Sequence, residues 1–171
     1  LFGLKPGDIF VVRNVANLIP PYRSDDQFHG VSAALEFGVK DLAVSDIVVL
    51  GHAFCGGISA LCKRVINENK NEHNKEKKDG DRDFINKWVD IAKPALTGIN
   101  FDDWPGSSQH EAERKAILNS VMNLKTFPWI KTAIKNKKLR VHGWWFDMKN
   151  GALWGNEDSS NKFVKLVPGA V

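Results

Sequence analysis

Two side chains that commonly bind zinc lie three residues apart in the most distinctive segment of the sequence. His52 and Cys55 follow the apolar run at residues 47–50 and precede Gly56 and Gly57. Imidazole nitrogen and thiolate sulfur are both good zinc donors, and a short loop can direct both at one ion. A helix that starts after Cys55 would favour its thiolate form. The two glycines are expected to remove side-chain bulk beside the metal and to adopt backbone angles that other residues resist.

A single H-x-x-C pattern does not decide between metal binding and simple packing. Cysteine is often a small buried hydrophobic residue, so the spacing leaves both interpretations of Cys55 open. A closed structural zinc site needs four ligands. The only other cysteine, Cys62, is expected to lie in the following helix and to pack in the protein core. The pattern therefore excludes a zinc finger or ribbon and favours an open catalytic site with a further ligand from elsewhere.

The surrounding pattern predicts the elements that position this loop. Short apolar or β-branched runs predict strands at residues 8–15, 46–50, 139–146 and, after a turn at 147–151, at 152–154. Helical spacing predicts helices at 31–44, 58–67, 84–96 and 112–135, the last broken or kinked at Pro128. The order predicts one α/β domain over residues 1–171, with a mainly parallel central sheet flanked by helices. The His52–Cys55 loop then lies at the carboxyl end of a strand, where such sheets bind ligands.

Composition narrows the classes of protein that the chain can represent. The hydrophobic fraction of 43% and charged fraction of 26% are ordinary for a globular protein. No apolar run reaches the roughly 18 residues that a membrane span needs. The net charge is +4, and the basic residues cluster in two places. At 67–82 they are mixed with acidic residues, as in a solvated linker, and at 131–140 they form the polar side and the end of a helix, so nucleic-acid binding is disfavoured. Two cysteines cannot form a disulfide framework, and this favours a reducing, cytoplasmic location. Whether a targeting segment precedes Leu1 is left open.

Five segments, in the same order along nearly the whole chain, resemble the β-class carbonic anhydrases. G-H-x-x-C-G-G at 51–57 resembles the second metal motif of that family. The other four segments are P-G-D-x-F-x-x-R-N-x-A-N at 6–17, S-A-A-L-E-F-G-V at 32–39, N-L-x-T-F-P at 123–128 and H-G-W at 142–144. The resemblance implies a zinc enzyme that reversibly hydrates carbon dioxide to bicarbonate and a proton, by attack of zinc-bound hydroxide on carbon dioxide.

The resemblance also assigns residues to the site. It makes His52 and Cys55 the second and third zinc ligands. The first ligand and the catalytic Asp–Arg pair belong to a Cys-x-Asp-x-Arg motif that is expected before Leu1, so the N-terminal part of the domain is expected to be missing. Residues 1–171 alone are therefore expected to be inactive or a poor catalyst. The residues implied to line an apolar carbon dioxide pocket are Phe10, Val15, Phe37 and Gly56, although the first three could instead belong to the core.

The resemblance also leads to expectations about the oligomeric state, a regulatory site and alternative functions. Family members are dimers or larger, so a homodimer or homotetramer is expected. Of the consecutive Trp144 and Trp145, one is expected to enter the core and the other to meet a neighbouring subunit, because adjacent strand residues face opposite sides. A regulatory bicarbonate site, present in some bacterial members, is expected to be absent because Phe146 lacks the required hydroxyl. Two alternatives stay open: a zinc hydrolase of the same fold that acts on carbon disulfide or another small molecule, and a non-catalytic scaffold.

Overall fold

The structure, a computed structural model, describes residues 3–69, 82–156 and 162–169. Of the linker expected at 67–82, residues 70–81 lie outside these residues, and 67–69 are helical. Within them, four strands form one sheet in the order β1-β2-β3-β4. The strands are β1 (Asp46–His52), β2 (Arg140–Asp147), β3 (Ala152–Asn156) and β4 (Phe163–Val167). β1 is parallel to β2, whereas β2 and β3, and likewise β3 and β4, are antiparallel.

The helices lie close to their predicted positions. In the described part of the chain they are α1 (Gly30–Glu36), α2 (Gly56–Asn69), α3 (Ile85–Val89), α4 (Ser107–Leu124) and α5 (Pro128–Lys135). α1 continues into a π-helical turn at Phe37–Asp41, and α3 continues into a 3-10 segment at Asp90–Leu96. The predicted break at Pro128 is confirmed, because α4 ends at Leu124 and α5 begins at Pro128. Proline is favourable in the first helical position, since the N–H of that residue has no hydrogen-bond partner within the helix. None of these helices is long and apolar enough to cross a membrane.

The α/β class with a sheet flanked by helices is confirmed, but two predictions about strands are wrong. Residues 8–15 do not form a strand: residues 9–12 are exposed, and Val15–Asn17 is a 3-10 turn. A β-branched run becomes a strand only beside a neighbour that pairs with its backbone, and none of the described strands pairs with it. The described sheet is mixed rather than mainly parallel. The Gly151 N–H donates to the Asp147 carbonyl at 2.8 Å, which closes a tight turn and reverses the chain into β3. β4 was not predicted.

Helix α4 contributes to both buried clusters of the described residues. One cluster joins α4 to α2 and the segment after α3, and the other joins it to β1, β2 and α5. Ile117 of α4 lies over two glycines, because its side-chain carbons are 2.6 Å from a Cβ built at Gly51 of β1 and 3.0 Å from one built at Gly143 of β2. Trp145 is fully buried and Trp144 is half-buried, so the predicted alternation is confirmed. Contact of Trp144 with another subunit stays a prediction.

Candidate metal centre

The loop between β1 and α2 presents His52 and Cys55 at the carboxyl end of β1. His52 is the last residue of β1 and pairs with Phe146 of β2. The Ala53 N–H donates to the Phe146 carbonyl oxygen at 2.9 Å, and Phe54 then turns the chain with a left-handed φ of 58°. Cys55 directly precedes α2. The predicted succession of strand, tight turn and helix around the two donors is therefore confirmed.

The ring of His52 is oriented for ligation through Nε2. Its Nδ1 lies 2.9 Å from the carbonyl oxygen of Ala53. A carbonyl only accepts hydrogen bonds, so Nδ1 carries the proton and Nε2 keeps a free lone pair. Histidines that bind metals ordinarily donate their other ring N–H in this way. The half-buried His52 thus has the tautomer that a metal ligand needs.

The cysteine donor is buried and free of any disulfide. Cys55 is 4% exposed, and both cysteines are free thiols. Cys62 lies in the core as predicted, and burial, together with the charge of Glu113, raises the pKa of its thiol to about 12. By donor chemistry, the His52 nitrogen and Cys55 sulfur fit zinc. The described residues contain no group of three or more His, Cys, Asp or Glu side chains suited to a metal, so a zinc centre here needs a further ligand from outside them.

A buried carboxylate on α4, which the sequence pattern did not single out, holds this loop. Glu113 is 2% exposed. Its Oε1 accepts hydrogen bonds from the Cys55 backbone N–H at 2.9 Å and from the Gln109 side chain at 3.1 Å. Its Oε2 accepts from the His110 ring at 3.0 Å and from the Trp145 indole N–H at 3.2 Å. One side chain therefore connects α4, β2 and the loop at residues 52–55, called the metal loop below.

The two glycines after Cys55 differ in what they contribute. A Cβ at Gly57 would lie 3.0 Å from both Val15 Cγ1 and Ala16 Cβ, whereas a Cβ at Gly56 would meet nothing within 4 Å. Gly57 thus lets α2 approach the turn at residues 15–17, and the space beside Gly56 is open. Neither glycine has a left-handed φ, so the expectation of unusual backbone angles is wrong.

The predicted pocket residues lie in two pairs. The rings of Phe10 and Phe37 are tilted against each other with centroids 5.8 Å apart. Val15 lies against Gly57, next to Gly56. Phe10, Val15 and Phe37 are each about half exposed, so none of them is part of the buried core. Their role as the lining of a carbon dioxide pocket stays a prediction.

An ion-pair cluster occupies the opposite end of β1. Arg140 donates to the Asp46 carboxylate from Nε at 2.7 Å and from Nη2 at 2.8 Å. The His142 Nε2 lies 2.8 Å from the same carboxylate, and the Ser45 hydroxyl donates to it at 2.7 Å. These bonds, from Arg140 above all and then from His142 and Ser45, hold the pKa of Asp46 well below its usual range. His142 therefore has a structural hydrogen-bond partner at the first residue of β1, away from the metal loop.

The fold and the loop together define a class: an α/β protein with a histidine and cysteine donor pair at the carboxyl end of a sheet strand. A family model described as carbonic anhydrase matches residues 1–153. The chain therefore belongs to the carbonic anhydrase family, and its relatives place it in the β class.

Individual relatives agree with this assignment. Beta carbonic anhydrase 5, chloroplastic, of Arabidopsis thaliana is 36% identical over 154 residues, which cover 86% of this chain and 46% of that protein. The solved structure of the β-carbonic anhydrase CcaA superposes with a TM-score of 0.75 at 26% identity and covers 94% of this chain and 73% of that one. A tetrameric β-carbonic anhydrase of Sordaria macrospora gives a TM-score of 0.65 at 26% identity, with 99% and 73% covered. The chain spans about half the length of the curated relatives it matches.

Proposed function

We propose that this chain carries the metal loop of a zinc enzyme that reversibly converts carbon dioxide and water into bicarbonate and a proton. The observation that carries the proposal is the pairing of an Nε2-directed His52 with a buried Cys55 at the end of β1, in a chain of the carbonic anhydrase family. The names of the relatives supply the reaction. The donor pair would bind the metal that such a reaction uses.

Each donor would have a definite part in holding the metal. A bound zinc ion supplies Lewis acidity, which lowers the pKa of water enough to give a nucleophile near neutral pH. His52 would bind the ion through Nε2 and Cys55 through Sγ, with a further ligand from outside the described residues. The Ala53 carbonyl would keep the proton on Nδ1, so that the ring of His52 would ligate as a neutral imidazole.

The proposed substrate is small and apolar, and the surface near the loop suits it. The half-exposed side chains of Phe10, Val15 and Phe37 would form an apolar wall, and the open space beside Gly56 would admit the molecule. Gly56 is the first residue of α2, and the N–H groups in a first helical turn have no partner within the helix. The Gly56 N–H would therefore donate to an oxygen of carbon dioxide or bicarbonate.

We also propose that the protein works as a homodimer or homotetramer. Two observations support this: a structural relative is tetrameric, and the apolar run at residues 9–12 is exposed. An exposed apolar run of this kind is typical of a surface that another subunit covers. Light scattering coupled to size-exclusion chromatography should give a dimer or tetramer mass. A monomer mass across the micromolar range would contradict the proposal.

Stopped-flow measurement of carbon dioxide hydration tests the proposed reaction. The protein is expressed with any natural sequence that precedes Leu1, loaded with zinc, and compared with His52→Ala. The matched control is His29→Ala, because His29 is a partly exposed histidine at the start of α1 that pairs with Asp25. The wild type and the control should hydrate carbon dioxide rapidly. The rate of His52→Ala should fall by more than about a hundredfold. Mutation of a residue that only hydrogen-bonds to a metal ligand lowers activity by up to about a hundredfold, and loss of the ligand itself should cost more.

The alternative outcomes separate the competing functions. A flat trace from folded, zinc-replete wild-type protein would contradict carbon dioxide hydration. Hydrolysis of carbon disulfide by that same preparation would assign a different small substrate to the loop. Inactivity on both would leave a non-catalytic scaffold as the explanation.

A further inference from the structure

Helix α4 places a carboxylate in a position where packing does not require one. Glu113 is almost fully buried, and burial of a carboxylate costs several kcal/mol unless hydrogen-bond donors compensate. Here four N–H groups compensate, from Cys55, Gln109, His110 and Trp145. An apolar side chain of similar volume would fill the space without that cost. The role of the carboxylate must therefore lie in the groups that it binds.

Glu113 reaches both flanks of the metal loop. On one flank it accepts the backbone N–H of Cys55 itself. On the other it accepts the indole N–H of Trp145, which pairs across the sheet with Gly51, the residue before His52. The guanidinium of Arg114 lies 4.3 Å from the centre of the Trp145 ring and further restricts the indole. Glu113 thus holds the loop directly at Cys55, and it holds β2 at Trp145, beside the strand that leads into the loop.

We propose that Glu113 is the positioning residue of the metal loop: its carboxylate sets the direction of the Cys55 sulfur relative to His52. This inference rests on the proposed zinc-binding function. All four neighbours of the carboxylate are donors, so the isosteric Glu113→Gln turns an amide N–H toward another N–H and releases part of the loop. Groups that orient metal ligands typically change metal affinity by about 10- to 100-fold.

Zinc affinity, measured by competition with a chromophoric chelator, tests the proposal on the protein with its natural upstream sequence. Glu113→Gln should bind zinc about 10- to 100-fold more weakly than wild type. Ser120→Ala is the matched control, because Ser120 is also buried on α4, accepts the Ile19 N–H and donates to the Asn17 carbonyl, each at 3.2 Å. The control loses buried bonds without touching Cys55 and should keep wild-type zinc affinity. Unchanged affinity in folded Glu113→Gln would overturn the proposal, and so would an equal loss in Ser120→Ala.

A second variant and a metal-free measurement keep the result decisive. If Glu113→Gln does not fold, Glu113→Asp retains the carboxylate but is one methylene too short to reach all four donors, and it should also weaken zinc binding. In the metal-free protein, the Cys55 amide should exchange hydrogen faster in either Glu113 variant than in wild type or Ser120→Ala. If wild type binds no zinc, the proposed function fails, and hydrogen exchange alone then decides: an unchanged rate at Cys55 would overturn the role of Glu113.

Discussion

Replacement of Gly51 by alanine tests how α4 packs on the strand that positions His52. A Cβ at Gly51 would lie 2.6 Å from Ile117 Cδ1, 2.8 Å from Ile117 Cγ1 and 3.0 Å from Asn17 Oδ1. Carbon atoms do not approach so closely, so either Ile117 leaves its rotamer or β1 moves away from α4. Overpacking of this kind lowers the free energy of unfolding by about 1–3 kcal/mol. In a chain of this length, a loss of about 2 kcal/mol lowers Tm by roughly 4–8 °C.

Urea unfolding followed by tryptophan fluorescence measures this cost, and a double-mutant cycle assigns it to Ile117. Ile117→Ala removes the clashing carbons and by itself costs about 2–5 kcal/mol. In that background only the 3.0 Å contact with Asn17 Oδ1 remains, so Gly51→Ala should cost at least about 0.5 kcal/mol less than it does when Ile117 is present. Gly30→Ala is the matched control, because a Cβ there meets nothing within 4 Å, and it should stay within about 0.5 kcal/mol of wild type.

Two results would refute this description of the packing. Gly51→Ala could leave stability within about 0.5 kcal/mol of wild type, the range of a neutral surface change. Alternatively, it could cost the same whether or not Ile117 is present. Either result would show that α4 does not press on β1 at this glycine.

Two further predictions concern titratable groups. Asp46→Asn removes the shared acceptor of Arg140 and His142 and should cost about 1 kcal/mol at neutral pH, because the cluster is partly exposed. Since folding lowers the pKa of Asp46, its contribution is present above about pH 4 and is lost at lower pH, so urea unfolding should show the two stabilities converging in acid; a constant difference would contradict this. Burial raises the pKa of the Cys62 thiol to about 12, so iodoacetamide should alkylate Cys62 only as fast as the protein unfolds. Mass spectrometry of the native protein would contradict this if Cys62 reacted as fast as an exposed thiol.

The metal loop was predictable because everything that forms it is local in sequence. The apolar run at 47–50, the turn and the helix from Gly56 follow one another directly, and the two donors are three residues apart. The break at Pro128 was predictable for the same reason, since proline acts on its own turn of helix.

Glu113 was missed because its role depends on partners far away in sequence. The Cys55 N–H that it accepts lies 58 residues earlier, and no periodicity reveals that pairing. The signal that could have found it is helical spacing: Glu113 lies three and four residues before Ala116 and Ile117, which are fully buried, and so shares their face of α4. A carboxylate within an apolar helix face needs partners, and that requirement alone would have marked it for attention.

The errors about strands have the same physical origin. Residues 8–15 have strong β propensity, but propensity becomes a strand only where another strand pairs with it. Within the described residues that partner is absent from the sheet. β4 was missed for the converse reason, since this short segment is a strand through its pairing with β3.

X-ray absorption spectroscopy of the zinc-loaded protein tests most directly whether His52 and Cys55 bind the metal. Zinc–sulfur and zinc–nitrogen distances of about 2.3 Å and 2.0–2.1 Å distinguish the two kinds of ligand. We expect Cys55→Ala to lose one sulfur neighbour and His52→Ala to lose one nitrogen neighbour, while Cys62→Ala keeps the wild-type spectrum. Spectra that stay identical in wild type and both ligand variants would place the zinc elsewhere and contradict the assignment of this loop as the metal centre.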